Sequence, residues 1–243
     1  MRRENNKTKT IAFVVYPGLT LLELIGPITT LFGLTRNLVG PSRQYRTVTV
    51  GERVESMNTD TPMALIPDSA FEHVPNPYGI IIPGGGMSSL AVMGNARVLD
   101  YVRFAAHGAQ IVGSVSTGAF ILAAAGLLEG RQVTTHPQYG EHLSKFGVNY
   151  VRRNWVEDGR YITAAGVSGA IDMALYLTAR LKDETTAKDA QLVIEYDPHP
   201  PFGRLEQADG DGENRSATTL AAHRTVLERA LAKRPDLRAK LFG

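Results

Sequence analysis

The chain contains no cysteine, which excludes disulfide bonds, thiolate metal ligands and a thiol nucleophile. It also has no apolar run long enough to cross a membrane, and its polar start is not typical of a signal peptide. Positive and negative charges are nearly balanced, because 26 basic and 24 acidic side chains leave a net charge of +2. The basic stripe of a nucleic-acid-binding protein is therefore missing. These absences predict a cytoplasmic protein without nucleic-acid or membrane partners.

The chain is long and apolar enough for one substantial domain, with 243 residues of which 43% are hydrophobic. Composition predicts an N-terminal tail over residues 1–8 and one domain over residues 9–202. A flexible polar linker is predicted over 203–216, followed by a C-terminal helix and tail over 217–243. The histidines lack metal-ligand spacing, so we predict no metal.

Strand-like and helix-like patterns alternate along the predicted domain. Strands are predicted at 9–16, 45–50, 79–83, 110–115 and 132–135, with hairpins over 56–67 and 149–163. Helices are predicted at 19–34, 95–107, 117–127, 137–146, 168–182, 187–196 and 217–233. This alternation predicts an α/β fold with a mainly parallel central sheet and helices on both faces.

Ser116 lies where a buried strand changes abruptly into a buried helix, a position typical of catalytic nucleophiles. Amide groups at the start of a helix stabilise negative charge on a nucleophile or a bound substrate. The alternative is structural, because serine is a good helix N-cap and Thr117 could cap the helix equally well. This segment alone does not separate the two interpretations.

Two further features follow neighbouring predicted strands and should meet Ser116 at one edge of the sheet. Glu23 lies in the apolar segment LTLLELIGP, so we expect a buried carboxyl with a raised pKa that can donate or accept a proton. Gly84, Gly85 and Gly86 follow the strand at 79–83, and backbone without side chains presents free amide donors of the kind that form an oxyanion hole.

Several motifs together resemble the ThiJ/PfpI superfamily, and within it they are most similar to the isonitrile-hydrating enzymes. They are PGGG at 83–86, GSVSTGAF at 113–120, AAGLL at 124–128, VTTH at 133–136, VEDG at 156–159, GVS at 166–168, EYDP at 195–198 and PPF at 200–202. The resemblance implies a flavodoxin-like sandwich that forms a homodimer, with the active site near the subunit interface. It implies no cofactor.

The resemblance also implies a reaction and a set of site residues. A cysteine at the position of Ser116 attacks the carbon of a small isonitrile, the carboxyl at position 23 handles the proton, and water releases an N-substituted formamide. Thr117 joins these two as a catalytic residue, where superfamily proteases and glyoxalase-like members place histidine. Besides the three glycines, the residues expected to contact the substrate are Ile25, Phe120 and His136.

The chain departs from this pattern at two positions. Glu23 replaces an aspartate, which keeps the acid and lengthens its reach. Ser116 replaces the nucleophilic cysteine, and a hydroxyl is far harder to ionise than a thiol. Either the serine was introduced in place of a cysteine, or the natural protein has abandoned thiol chemistry. The otherwise intact pattern favours the first explanation.

Two other functions stay open for a natural serine. The protein could bind or sense a small molecule without reaction, as the sensor halves of some superfamily regulators do. Only 41 residues follow Phe202, too few for the two helix-turn-helix motifs of such regulators. The protein could instead be a biosynthetic enzyme that uses Glu23 as acid and base on another electrophile.

Overall fold

A computed structural model describes residues 8–35, 44–201, 203, 218 and 220–242. Seven strands form one sheet in the order β10-β11-β7-β6-β1-β2-β5, and two strand pairs lie outside it. The strands are β1 (Lys9–Val14), β2 (Tyr45–Gly51), β3 (Met57–Asn58), β4 (Ala64–Leu65), β5 (Ser69–Ala70), β6 (Gly79–Ile82), β7 (Ile111–Val115), β8 (Gln132–Val133), β9 (Asn149–Tyr150), β10 (Trp155–Asp158) and β11 (Tyr161–Ala164). All neighbours in the large sheet pair in parallel except β10 with β11.

The helices fill the connections between these strands. They are α1 (Leu21–Thr30), α2 (Phe32–Thr35), α3 (Met87–Val92), α4 (Ala96–Gly108), α5 (Gly118–Ala124), α6 (Gly140–Ser144), α7 (Val167–Leu181), α8 (Glu184–Val193), α9 (Arg224–Ala230) and α10 (Pro235–Phe242). Side-chain caps start two of them, since Asn95 accepts hydrogen bonds at the start of α4 and Asp183 at the start of α8.

The sheet has a topological switch point between its central strand β6 and the neighbouring β1. The chain moves from β1 to β2 in one direction and later from β6 to β7 in the other. Because such crossovers are right-handed, α1 and α4 lie on opposite faces of the sheet. In sheets of this kind ligands collect where the order reverses, at the carboxyl ends of the strands. Here those are the ends of β1, β6 and β7.

The core lies between the sheet and its two helical layers. In one layer α7 packs on α1, and in the other α5 packs against α4 and β6. The C-terminal helices belong to the same core, because α9 packs on α3 and both α9 and α10 bury leucines in the same cluster, namely Leu227, Leu237 and Leu241. No helix in the described part of the chain is long and apolar enough to cross a membrane.

The predicted fold class is confirmed, and four local predictions need correction. The hairpin within 56–67 forms, but its two strands make a separate small sheet. Only β10 and β11 form the later hairpin, while β9 pairs in parallel with β8. Helix α3 and strand β5 were not predicted. The predicted C-terminal tail contains a second helix, α10, which has proline at its first position. The predicted N-terminal tail and polar linker lie almost wholly outside the described residues.

Candidate active site

The strand-to-helix junction at Ser116, here called the elbow, is a backbone conformation that serine rarely adopts. Its φ is 52°, in the left-handed region, and such a residue costs about 1–3 kcal/mol unless its surroundings hold it. The residue is 5% exposed, and its side chain hydrogen-bonds to Glu23. The capping alternative fails for Thr117, whose side chain makes no capping hydrogen bond to α5.

Two hydrogen bonds hold the elbow from its flanks. The Ser116 amide donates to the carbonyl of Ala164 at the end of β11, at 2.7 Å. The Thr135 hydroxyl donates to the carbonyl of Ser116, also at 2.7 Å, and both residues are buried. Thr135 was expected as the end of a strand and as part of the VTTH motif, and neither observation predicted this contact. It fixes the peptide group that follows the candidate nucleophile.

We predict that Thr135→Val lowers the free energy of unfolding by about 1 kcal/mol, because the Ser116 carbonyl loses a buried donor. Amide hydrogen exchange in a peptide covering the elbow should also become faster. Thr178→Val is the matched control, since its buried hydroxyl donates to the Ala174 carbonyl at 2.8 Å in α7. Equal rates of amide hydrogen exchange at the elbow in both variants would mean that Thr135 contributes only to overall stability and does not hold the elbow.

Glu23 is buried at the start of α1, beside the elbow. Its carboxyl oxygen Oε2 accepts a hydrogen bond from the Gly84 amide at 2.7 Å. Burial raises the pKa of Glu23 to about 7, and the nearby charge of Asp60 adds to the effect, while the bonds from Gly84 and Ser116 oppose it. The raised pKa brings the titration of this carboxyl towards neutral pH, which suits a group that must both give and take a proton.

The glycine loop, residues Pro83–Gly86, contacts both other parts of the site. The Gly85 and Gly86 amides donate to the Thr117 hydroxyl at 3.2 and 3.0 Å. A Cβ at Gly84 would overlap the Glu23 carboxylate and lie 3.0 Å from the Thr117 hydroxyl oxygen, which explains glycine there. The expectation that these three amides are free donors is wrong, because Glu23 and Thr117 already accept from all of them.

Two residues that sequence reasoning missed lie behind the glycine loop. The Tyr16 hydroxyl donates to the Pro83 carbonyl at 2.6 Å and lies 2.9 Å from Ser89 Oγ. Ser89 Oγ in turn lies 2.9 Å from Thr117 Oγ1, and both Tyr16 and Ser89 are buried. Tyr16 ended a predicted strand and Ser89 lies in the unpredicted α3, so neither was singled out.

The structure separates the other expected substrate contacts from this cluster. Phe120 is completely buried and packs edge-on against Tyr139 and Phe146, so it is a core residue. Ile25 is 43% exposed on α1, so it is not part of the buried cluster around Glu23. His136 is half-buried, which lowers its pKa, and it directly follows Thr135, which contacts the elbow.

A comparison with protein families matches residues 9–180 to the model of the DJ-1/PfpI family. Among curated proteins, the chain is 35% identical over 230 residues to an isonitrile hydratase of Pseudomonas putida, covering 92% of this chain and 96% of that protein. It is 25% identical to the HTH-type transcriptional regulator CdhR of Pseudomonas aeruginosa, and the match covers 79% of this chain but only 55% of the regulator.

Solved structures agree with the fold. The crystal structure of a ThiJ/PfpI family protein from Pseudomonas syringae superposes with a TM-score of 0.79 at 28% identity, covering 98% of this chain and 92% of that one. The similarity therefore extends over the sheet, both helical layers and the C-terminal helices.

Proposed function

Because this chain belongs to the DJ-1/PfpI family, we propose that it is an enzyme that adds water to a small isonitrile and releases an N-substituted formamide. The observation that carries the proposal is the buried Glu23 carboxyl with a pKa of about 7, hydrogen-bonded to the side chain at the nucleophile position. Similarity to an isonitrile hydratase along nearly the whole chain supports the same reaction.

In the proposed reaction the proton is transferred before the nucleophile attacks. An isonitrile carries its lone pair on the terminal carbon, so neutral Glu23 protonates that carbon and leaves a nitrilium that is electrophilic there. The side chain at position 116 bonds to the carbon, and its own proton goes to the Glu23 carboxylate. Water then adds its oxygen to the same carbon, and one of its protons goes to the nitrogen. As the carbonyl forms, the bond to residue 116 breaks and the second water proton returns to that side chain, which releases the N-substituted formamide. One water is consumed and no redox step occurs.

This reaction is compatible with a glycine loop whose amides are already hydrogen-bonded within the protein. The reaction develops charge on carbon and nitrogen, so it does not require the Gly84, Gly85 and Gly86 amides as an oxyanion hole. The amide of Gly84 instead holds the acid in place. Peptide and ester hydrolysis would need those donors for an oxyanion, which favours isonitrile hydration over hydrolysis.

We expect the serine at position 116 to make this reaction slow. A hydroxyl is a poor nucleophile near neutral pH, whereas a thiol is partly ionised, so Ser116→Cys should raise the rate about 100-fold or more. The test incubates the protein and this variant with a panel of isonitriles and follows formamide by mass spectrometry, with Ser116→Ala as control. Absence of turnover by the cysteine form would contradict the proposal.

We further propose that the enzyme works in the cytoplasm as a homodimer with the site near the interface. Leu22 and Ile25 support the dimer, since both are apolar and exposed on the helix that carries Glu23. A partner that covered them would close the site and bring Ile25 into contact with substrate. Light scattering on the protein and on Leu22→Asp tests the dimer, which the charged variant should dissociate.

Ser116 favours a second candidate function, a small-molecule binding protein that keeps the site without the thiol. The similarity to CdhR, described as a transcriptional regulator, agrees with that alternative, although this chain spans only about half of the regulator's length. A binding protein would bind isonitriles unchanged even as Ser116→Cys, whereas an enzyme would convert them.

A further inference from the structure

A chain of three buried hydroxyl groups, from Tyr16, Ser89 and Thr117, clamps the glycine loop from two sides. At one end Tyr16 donates to the Pro83 carbonyl, and at the other Thr117 accepts from the loop amides. Since the one hydroxyl hydrogen of Tyr16 goes to Pro83, Ser89 must donate to Tyr16 and Thr117 must donate to Ser89. The reaction proposed above uses neither Tyr16 nor Ser89.

One end of this hydroxyl chain reaches Glu23 through a single peptide group. The Pro83 carbonyl, which accepts from Tyr16, and the Gly84 amide, which donates to Glu23, are the two polar ends of the same planar unit. A hydrogen bond to the carbonyl polarises the unit and makes its N–H a stronger donor. The Tyr16 hydroxyl therefore acts on Glu23 without touching it.

We propose that Tyr16 and Ser89 are positioning residues of the active site. Tyr16 acts through the Pro83–Gly84 peptide and Ser89 through the Thr117 hydroxyl, and together they hold the loop conformation that binds Glu23. The kinetic consequence rests on the proposed isonitrile hydration. The effect on the ionisation of Glu23 does not depend on that reaction, because Glu23 titrates in the absence of any substrate.

The groups whose charges act on Glu23 stay the same when Tyr16 loses its hydroxyl. Asp60, from the loop between β3 and β4, is the residue whose charge raises the pKa of Glu23, and no variant alters it. Tyr16 itself is uncharged near neutral pH, since burial raises the pKa of its phenol far above the usual range. A change in Glu23 titration in Tyr16→Phe therefore reports the lost hydrogen bond.

The experiment titrates Glu23 by carboxyl-carbon NMR in the protein, with Glu23→Gln used to identify its signal. Tyr16→Phe should raise the pKa of Glu23 by about 0.5 unit, because the weaker Gly84 donor stabilises the carboxylate less. Tyr101→Phe is the matched control, since Tyr101 is also buried and its hydroxyl donates to the Val74 carbonyl at 2.9 Å. That variant should leave the Glu23 titration unchanged.

Ser89→Ala provides a second test of the positioning role, and it replaces the first test if Tyr16→Phe does not fold. It should shift the Glu23 titration in the same direction, and in the Ser116→Cys background it should lower kcat about tenfold with KM nearly unchanged. Thr117→Ser, which keeps the hydroxyl, should retain the original titration. An unmoved Glu23 titration in the folded Tyr16→Phe variant, or in Ser89→Ala in its place, overturns the proposal. Shifted titration without turnover in any variant contradicts only the isonitrile activity.

Discussion

Glu23→Gln is expected to stabilise the protein in mild alkali while it removes the catalytic proton. The pKa of this carboxyl rises from 4.5 to about 7 on folding, mainly because of burial. At pH values between these two pKa values, the folded state therefore still holds a proton that the unfolded chain has lost. This proton's contribution to the free energy of unfolding is fully present below about pH 4.5. It decreases as the pH rises towards the folded pKa, and above that pKa about 3 kcal/mol has been lost.

Glutamine stays neutral at every pH, so the variant should not show this fall in stability. Urea unfolding at about pH 9 should give the variant a free energy of unfolding higher by about 2–3 kcal/mol, with near equality at about pH 5. The exposed Glu129→Gln, which also removes one carboxyl, serves as the matched control. Equal pH dependence in the Glu23 variant and the unmodified protein would mean that Glu23 is not buried as a neutral acid.

The same substitution should lower isonitrile hydration in the Ser116→Cys background about 100- to 10,000-fold, the usual contribution of a positioned acid or base. Glu23→Asp keeps the acid and should retain a measurable part of the rate. If Glu23→Gln is more stable and loses turnover, then Glu23 serves catalysis while it lowers the stability of the folded protein.

Much of the fold follows from local sequence patterns, because long β-branched runs and helical periodicity report burial directly. Strands β1 and β7, which flank the central strand β6, were predicted nearly to their ends for this reason. Helix α3 was missed because six residues after three glycines, with no side-chain cap, carry little local signal. Strand β9 was misplaced because its partner β8 lies far away along the chain, and propensity does not specify partners.

The site was predictable where burial and the strand ends define it, and not where side chains meet across elements. The apolar surroundings of Glu23 predicted a buried acid with a raised pKa, and the structure agrees. The resemblance implied that Phe120 contacts the substrate, yet the structure buries it completely against Phe146 in the core. The contact of Thr117 with Gly85 joins two separate loops, so only the three-dimensional structure could reveal it.

Gly118→Ala is expected to disrupt the fold, although it adds only one methyl group. Gly118 begins α5, two residues after Ser116, and a Cβ there would overlap the Ile82 carbonyl and lie 2.8 Å from the Pro83 carbonyl oxygen. Both contacts are with backbone at the end of β6, so no side-chain rotation relieves them. We expect a loss of about 3 kcal/mol or more in the free energy of unfolding.

Gly108→Ala is the matched control, because Gly108 is also helical, at the end of α4, and a Cβ there would meet no atom within 4 Å. It should leave urea unfolding unchanged or shift it slightly towards greater stability. If Gly118→Ala folds at all, α5 must move away from β6, which would carry Ser116 and Thr117 away from the glycine loop. A folded Gly118→Ala variant with unchanged stability and an unchanged Glu23 titration would show that this close approach does not build the site.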